Sequence, residues 1–211
     1  MKDGYYVWFD TEYSDLDLKK AVLLQVAAFA TDASLRRVLP PDRDVRLAIR
    51  LSNDAELSDW VRRHLPDLID RCRSAEAVDV AEADDRLCAH VAAVAELAGV
   101  GEEFRPVLAG SSIHIDWWLA YRFLPRFLSR LHYRLLDVTT IKLEWTRLHP
   151  RSKGFDKEDP LLVRRHFPGA VCPVSTNRHD ALYDAEASVA ELAFYRKHLL
   201  RPGRFSRPVP G

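Results

Sequence analysis

Carboxylate side chains follow the first apolar run of the chain. Asp10 and Glu12 come directly after the aromatic and β-branched stretch 5–9, and the period of two in a strand directs both carboxylates to one face. Such a pair could share a divalent cation. The spacing alone is weak evidence, because Asp15 and Asp17 repeat it and acid pairs usually belong to the solvated surface. The apolar run before Asp10 predicts partial desolvation, and a desolvated acid pair requires a cation or a shared proton.

Two further groups could add to this chemistry. Asp116 follows a predicted strand and a Gly-Ser turn, so it would project from the first turn of a helix. Its alternative role there is to complement the helix dipole. His179 and Asp184 are five residues apart at the start of the last predicted helix. The histidine could therefore act as a general base beside the acids, although a histidine before a helix is more often a simple cap.

A sheet must bring these residues together, and the apolar patterns predict one. Strands are predicted at 5–9, 21–31, 45–51, 107–109 and 132–137, and helices at 80–97 (capped by Asp79), 116–124, 138–148 and, as a long amphipathic helix, 180–200. The first three strands are expected to form an antiparallel meander with one solvated face. The alternation that follows predicts two parallel strands, and so an α/β fold with a mixed sheet flanked by helices.

Length and charge limit the possible functions. The chain has 211 residues with 31 basic and 31 acidic side chains, which favours one globular domain over 1–200 and argues against a large surface for long nucleic acid. The Pro, Gly and Arg residues of 201–211 predict a disordered tail. Residues 151–178, also rich in Pro, Gly and charge, are predicted to be irregular and to form a flap or an extension over the site.

Cysteine usage and apolar runs predict the compartment. Cys72, Cys88 and Cys172 lack a C-x-x-C spacing, which favours neither a disulfide framework nor a zinc site and fits a reducing cytoplasm. The longest apolar run, 21–30, contains Gln25 and is too short to cross a bilayer. Acidic residues in the first twelve positions argue against a signal peptide. No membrane association is therefore expected.

Together, the three clusters resemble the signature of the DEDDh family of RNase H-like 3′-to-5′ exonucleases. That signature has Asp-x-Glu on the first strand, Asp after a central strand and His-x4-Asp on the last helix. Within the family the oligoribonucleases are the most similar. Residues 132–142 read His-Tyr-Arg-Leu-Leu-Asp-Val-Thr-Thr-Ile-Lys, close to the oligoribonuclease pattern His-Tyr-Arg-x-x-Asp-Val-Ser-Thr-x-Lys, and the resemblance extends over about 6–196.

The resemblance implies a metal-dependent nuclease. Four acids would hold two divalent cations, Mg²⁺ or Mn²⁺, roughly 4 Å apart: Asp10, Glu12, Asp116 and Asp184. Four converging carboxylates would otherwise repel one another and raise each other's pKa.

The resemblance also makes His179 the general base. The related family with a catalytic tyrosine places it four residues before the last Asp, where this chain has Asp180. His114 is the rival base and is expected instead to satisfy backbone groups.

The substrate contacts that the resemblance implies fit a very short ligand. Leu16 and Trp60 would stack on bases, His64 would contact the nucleotide, Ser112, Arg134 and Thr139 would close on the 5′-phosphate, and Tyr133 would reach the site from the other protomer of a homodimer. A closed 5′ end and a zero net charge agree with a dinucleotide, for which stacking supplies about 1–3 kcal/mol per base. Core packing is the alternative role of Trp60.

The function implied is hydrolysis of dinucleotides and short oligonucleotides to 5′-mononucleotides. The alternatives are an exonuclease that trims longer RNA or DNA strands, and an inactive nucleotide-binding module. The chain departs from the family pattern at Tyr13, at Asp15 and at the pair Trp117-Trp118, and it is longer before His179. These departures leave the metal chemistry unchanged but could alter the preferred length or sugar.

Overall fold

The computed structural model describes residues 4–101, 103–173 and 179–199. The tail at 201–211 and the predicted last residue of the final helix, Leu200, lie outside the described residues. The strands are β1 (Tyr5–Tyr13), β2 (Leu23–Asp32), β3 (Val45–Ala48), β4 (Val107–Gly110) and β5 (His132–Asp137). The helices are α1 (Asp59–His64), α2 (Pro66–Arg73), α3 (Val80–Ala98), α4 (Ile113–Phe123), α5 (Pro125–Ser129), α6 (Val138–Leu148), α7 (Pro160–His166) and α8 (Ala181–His198).

The five strands form one mixed sheet in the order β3-β2-β1-β4-β5. β1, β2 and β3 form the antiparallel meander, whereas β4 pairs parallel to β1 and β5 pairs parallel to β4. The predicted solvated face is wrong for β2, because successive residues from Leu23 to Thr31 are all buried. The predicted α/β fold with helices on a mixed sheet is confirmed. β1 is the central strand, so its side chains, which alternate in direction, contact the helices on both faces of the sheet.

The first strand is longer than predicted. β1 continues to Tyr13, so Asp10 and Glu12 lie within the strand, opposite Ala27 and Gln25 of β2. The prediction ended the strand at Phe9 because the carboxylates interrupt the apolar run. Pairing with β2 overrides that local preference, since the backbone hydrogen bonds of a central strand do not depend on the side chains.

Alternate residues of β1 face different helical layers. Val7 and Phe9 are fully buried in a core shared with α3, α4 and α5, whereas Trp8 is fully buried in the core shared with α6, α7 and α8. Burial of side chains of this size stabilises the fold by about 1.5–3 kcal/mol each. By the period of two, Asp10 and Glu12 share the face of Trp8 and therefore point toward α8.

The last helix differs from the prediction of an amphipathic helix. Twelve of the 18 residues of α8 are buried, because the helix packs on β1 and β2 and is covered by α6 and α7. Two of its acids, Glu186 and Glu191, are almost fully buried and hydrogen-bonded: Glu186 to Arg37 and Glu191 to Tyr195. Those partners explain how a buried helix can carry charge.

Several short helices were not predicted. α2, α5 and α7 each begin with proline, at Pro66, Pro125 and Pro160, a residue that suits the first position of a helix. α7 lies inside 151–178, so the prediction of an irregular segment is wrong for that part. The Asp159 side chain caps α7 by accepting from two backbone amides, which stabilises a helix too short to persist alone.

Other local predictions changed in detail. β3 ends at Ala48 rather than at residue 51. The next residue, Ile49, donates its amide to the carbonyl of Leu24 at 2.9 Å and forms an isolated parallel bridge with Val78. Asp79 occupies the N-cap position of α3, but its side chain pairs with Arg50 instead of capping. Gly99 ends α3 in the left-handed conformation, at φ 63°, as the predicted stop requires.

The cysteines and the helices are the two features of the fold that relate to the predicted compartment. Cys72, Cys88 and Cys172 are free and buried. Among the helices in the described part of the chain, none has the length and apolar character needed to cross a membrane.

Candidate active site

The four predicted acids meet in one cleft. Asp10 and Glu12 come from β1, Asp116 from the first turn of α4 and Asp184 from the first turn of α8. All four line a cavity of about 530 Å³, together with His179. The cleft lies at the carboxyl ends of β1 and β4, where ligands of open α/β sheets gather.

A glycine allows the two central strands to approach beside the acids. A Cβ on Gly110, the last residue of β4, would lie 2.8 Å from the carbonyl oxygen of Phe9. Any larger residue would therefore push β4 away from β1 next to Asp10, and it would displace the helix that carries Asp116.

Mutual repulsion and burial act on the acids together. Burial, followed by the charges of Asp116, Asp184 and Glu12, raises the pKa of Asp10 well above its ordinary value. Burial and the charge of Asp184 raise the pKa of Glu12 to about 9. Burial also raises the pKa of Asp116 to about 7. A site of this kind holds protons or cations, because the fully ionised cluster is unfavourable.

His179 lies on the wall of the cleft, next to two of the acids. A ring nitrogen of His179 and carboxylate oxygens of Glu12 and Asp184 all lie within 4.8 Å of one another, so the three residues could hold a metal ion. The backbone of His179 is left-handed, at φ 65°. For a residue other than glycine this conformation is uncommon and is concentrated at functional sites.

Asp180, the residue after His179, fixes the start of α8. Its carboxylate caps the helix, accepts from Nη2 of Arg46 at 2.5 Å and accepts from Nε2 of Gln25 at 3.2 Å. Oε1 of Gln25 in turn accepts from the amide of Ala181. β2 and β3 thus hold the start of α8 through Gln25 and Arg46. Asp180 does not line the cleft, but its charge contributes to the raised pKa of Glu12.

An apolar pocket of about 340 Å³ adjoins the cleft. Leu16 and Trp60 line it together with Glu12 and His179. Leu16 is 87% exposed and Trp60 is 42% exposed, so Trp60 is not a core residue. His64 stacks on the Trp60 ring with centroids 4.5 Å apart, and His179 makes an edge contact with the same ring at 4.9 Å. The predicted stacking residues are therefore contiguous with the acids.

Ser112 and Thr139 close the other side of the cleft. The Ser112 amide donates to Oγ1 of Thr139 at 2.8 Å and to Oδ1 of Asp137 at 2.9 Å. Asp137 also caps α6 through the Thr139 amide. This network joins the ends of β4 and β5 and leaves the two hydroxyls 3.1 Å apart at the cleft surface.

The structure does not bring every predicted residue to the cleft of its own chain. Tyr133 is 79% exposed on β5, and the Arg134 guanidinium lies 5.4 Å from the centre of its ring; neither lines the cleft. His114 is also outside the cleft lining. Its Nδ1 lies 3.6 Å from Oδ2 of Asp137, so it faces a carboxylate rather than the backbone groups that were expected.

The sequence analysis assigned no role to several residues that support the acids. They are the buried Thr11, the cleft lysines Lys142 and Lys157, and Glu191, whose Oε1 is 3.6 Å from Nζ of Lys142. Two sequence patterns could have indicated some of these residues. The period of two in β1 directs the Thr11 side chain to the face opposite Asp10 and Glu12, and the i, i+7 spacing of Asp184 and Glu191 places both on one helix face. No sequence pattern marks Lys157, because it lies in a segment without periodicity.

Solved structures share this fold. A moderately thermophilic exonuclease I from Methylocaldum szegediense aligns over 93% of this chain with a TM-score of 0.63 and 18% identity. An Escherichia coli exonuclease I in complex with a 5cy-dT13 oligonucleotide aligns over 93% with a TM-score of 0.60 and 13% identity. This chain covers 41% of each of those chains. The fold is therefore the RNase H-like fold of the exonucleases.

Curated relatives define the family within that fold. An oligoribonuclease of Sodalis glossinidius is 32% identical over 207 residues, which span 95% of this chain and 98% of that protein. A probable oligoribonuclease of Schizosaccharomyces pombe is 29% identical over 92% of this chain and 68% of its own length. No family model matches the chain. The chain belongs to the oligoribonuclease family.

Proposed function

We propose that the chain is a metal-dependent 3′-to-5′ exonuclease that hydrolyses dinucleotides and short oligonucleotides to 5′-mononucleotides. The observation that carries the proposal is the convergence of Asp10, Glu12, Asp116, Asp184 and His179 on one cleft. The names of the relatives, oligoribonucleases, support the short substrate. One domain, residues 1–200, carries this activity.

The donor set of the cleft fits divalent cations. Asp10, Glu12 and Asp116 have raised pKa values because burial and neighbouring acids oppose their ionisation, and hard oxygen donors prefer Mg²⁺ or Mn²⁺. We assign two ions to the site, held by these three acids and Asp184. When bound, the ions neutralise the carboxylates and stabilise negative charge on the phosphodiester.

His179 acts as the general base in this proposal. Its exposed ring beside Glu12 and Asp184 can take a proton from the water that attacks phosphorus. The bond from phosphorus to the 3′-oxygen of the preceding nucleotide then breaks, which leaves a 5′-phosphate on the released nucleotide.

The same position would also suit a metal ligand, and two substitutions separate the roles. His179→Ala should lower kcat by about 10²–10⁴-fold, the usual contribution of a general base, with Mn²⁺ affinity retained. Asp184→Asn should weaken Mn²⁺ binding itself. Equal loss of Mn²⁺ affinity in both variants would assign His179 to the metal rather than to the proton.

The two ends of the cleft suit a ligand of very few nucleotides. At one end, Ser112 and Thr139 present hydroxyl groups that can bind the 5′-phosphate. At the other end, Leu16 and Trp60 present an apolar pocket for a base, with His64 behind Trp60. A dinucleotide would use both ends. A longer strand would have to continue past the 5′-phosphate site, and the contacts of Ser112 and Thr139 oppose that path.

We further propose a homodimer in which Tyr133 acts on the partner's cleft. β5 is an edge strand of the sheet, and Tyr133 is 79% exposed on it, so its ring is accessible to a second protomer. Arg134 keeps its predicted contact with the 5′-phosphate only if it enters the partner's cleft with Tyr133. The cytoplasmic location stays a prediction.

Relative rates on a two-mer and a twenty-mer test the proposed function. With Mn²⁺, purified protein should cleave a 5′-labelled dinucleotide faster than a twenty-mer with the same 3′ end. Preference for the twenty-mer would favour the strand-trimming exonuclease instead. Binding of the dinucleotide without cleavage would favour the inactive module. Matched RNA and DNA dinucleotides in the same assay define the sugar preference.

A further inference from the structure

A lysine reaches the acidic cleft from the segment between α6 and α7. Nζ of Lys157 lies 3.2 Å from Oδ1 of Asp184, and Lys157 lines the same cleft as Asp10, Glu12 and Asp116. The Lys157 side chain is 45% exposed, whereas that of Asp184 is 18% exposed. The ammonium group therefore lies at the wall of the cleft, where a ligand can contact it.

The backbone around Lys157 is fixed to the core of the domain. The Tyr183 hydroxyl donates to the Lys157 carbonyl at 2.8 Å, and Tyr183 precedes Asp184 on α8. Phe155, two residues earlier, is 5% exposed and packs against Phe194 with ring centroids 5.8 Å apart. The position of Lys157 is thus built into the fold, in the segment where the chain is longer than the oligoribonuclease pattern.

The contact with Asp184 conflicts with metal binding. A carboxylate oxygen of Asp184 is one of the atoms that could ligate a metal together with Glu12 and His179. Two cations on one carboxylate repel each other, and a metal ion needs the oxygen lone pairs that the ammonium group occupies. A metal ion that binds Asp184 must therefore displace Lys157 or weaken its contact.

Charge in the cleft gives the displaced lysine a new partner. Five carboxylates and two ammonium groups line the cleft: Asp10, Glu12, Asp116, Asp184, Glu191, Lys142 and Lys157. When all are ionised, five negative and two positive charges leave three negative charges, and two divalent cations change this balance to one positive charge. Lys142 stays near Glu191, so the remaining positive charge is that of Lys157. An anion can then pair with Lys157.

We propose that Lys157 exchanges partners: it pairs with Asp184 in the metal-free protein and with a backbone phosphate of the oligonucleotide in the metal-loaded protein. This inference rests on the proposed function, because it takes the acids as a cation site and an oligonucleotide as the substrate. Lys157 would then contribute to substrate affinity and would make metal binding weaker than the acids alone allow.

Substitution of Lys157 separates the two partners. Lys157→Gln should bind Mn²⁺ about fivefold more tightly in titration calorimetry, the size expected for losing one partly exposed ion pair. The same variant should raise KM for a dinucleotide by about fivefold while kcat stays within about twofold. Lys157→Arg keeps the charge and should restore KM. Lys153→Gln removes an exposed lysine of the same segment and should leave both quantities unchanged.

The results distinguish this inference from the proposed function. Unchanged Mn²⁺ affinity in Lys157→Gln, with normal binding by the wild-type protein, overturns the exchange and leaves the nuclease assignment intact. An unchanged KM overturns it equally, because the phosphate contact would be missing. A wild-type protein that binds no Mn²⁺ and cleaves no dinucleotide removes the proposed function and the exchange together.

Discussion

The Thr11 hydroxyl donates a hydrogen bond of 2.7 Å to Oδ1 of Asp116, a residue 105 positions away in the sequence. Both residues are 5% exposed. Burial raises the pKa of Asp116 to about 7, and the bond from Thr11 acts in the opposite direction by favouring the carboxylate. Thr11 points away from Asp10 and Glu12 on β1, and it still serves the same site because it fixes the acid contributed by α4.

Thr11→Val should weaken metal binding without creating a cavity in the core. The substitution keeps the shape of the side chain and removes the hydroxyl, and a hydrogen bond to a charged group contributes about 1.5–3 kcal/mol. We expect Mn²⁺ affinity to fall at least about tenfold at pH 7 in titration calorimetry. Thr31→Val is the matched control, since buried Thr31 accepts from Trp8 far from the cleft. That control should lower Tm only; equal Mn²⁺ affinity in both variants would contradict the role of Thr11.

Asp10→Asn should stabilise the metal-free protein at pH 8 and abolish its response to metal. The substitution removes one of several repelling carboxylates whose burial already opposes ionisation. A gain of about 1 kcal/mol corresponds to roughly 2–4 °C in Tm for a chain of this size. Mg²⁺ should raise the Tm of the wild-type protein but not that of the variant. Asp70→Asn, at an exposed position of α2, should change neither value, and a retained Mg²⁺ response in Asp10→Asn would remove Asp10 from the metal site.

The metal-free protein should lose stability as pH rises from 5 to 9. The ordinary pKa of Glu12 is 4.5 and its folded pKa is about 9, so between these values the unfolded chain has released a proton that the folded chain keeps. Stability from this group is present below pH 4.5 and is lost as pH rises toward 9. Asp116 adds a further loss of stability, which ends near its folded pKa of about 7.

Melting scans in a chelator at several pH values measure this decline directly. Saturating Mg²⁺ should flatten the curve, because the ions compensate the charges that the folded state otherwise avoids. A Tm that is constant with pH in the chelator would mean that the acids are solvated and apart.

Trp60→Ala should reduce affinity for short substrates. Loss of one stacked base costs about 1–3 kcal/mol, so KM for a dinucleotide should rise about 5- to 100-fold. Some loss of kcat is also expected, because the Trp60 ring contacts His179 at 4.9 Å. Trp118→Ala is a matched control, since Trp118 is 41% exposed and lies outside the cleft lining. If Trp60→Ala behaves like this control, the apolar pocket does not bind a base.

Mixtures of two inactive variants test the shared site. Tyr133→Ala lacks the residue proposed to act in trans, and Asp10→Ala lacks a proposed metal ligand. A heterodimer contains one cleft with an intact Asp10 whose partner supplies an intact Tyr133, so mixing should restore about a quarter of the wild-type activity at random pairing of equal amounts. Each variant alone sets the baseline, and light scattering checks the dimer. No recovery from a mixed, dimeric sample would place Tyr133 outside the partner's cleft.

Local patterns in the sequence were sufficient to predict the sheet and the acids. The apolar runs of β1 and β2 and the later strands β4 and β5 are confirmed, because short runs of strand-forming residues are a signal carried by neighbours in sequence. The order of Asp10, Glu12, Asp116, His179 and Asp184, together with the pattern at 132–142, sufficed to indicate the family. The buried character of α8 was missed, because its small and acidic residues read as a surface pattern until α6 and α7 cover them.

The chemical types at the site can be read from the chain alone: a group of acids, a histidine and aromatic side chains. Which of them meet depends on the folded structure. Thr11, Lys157 and Asp180 gained their roles from contacts across 105, 27 and 134 residues, with Asp116, Asp184 and Arg46 respectively. Such contacts leave no periodic signal, since hydrogen bonds and charge act between atoms that are close in space, whatever their separation along the chain.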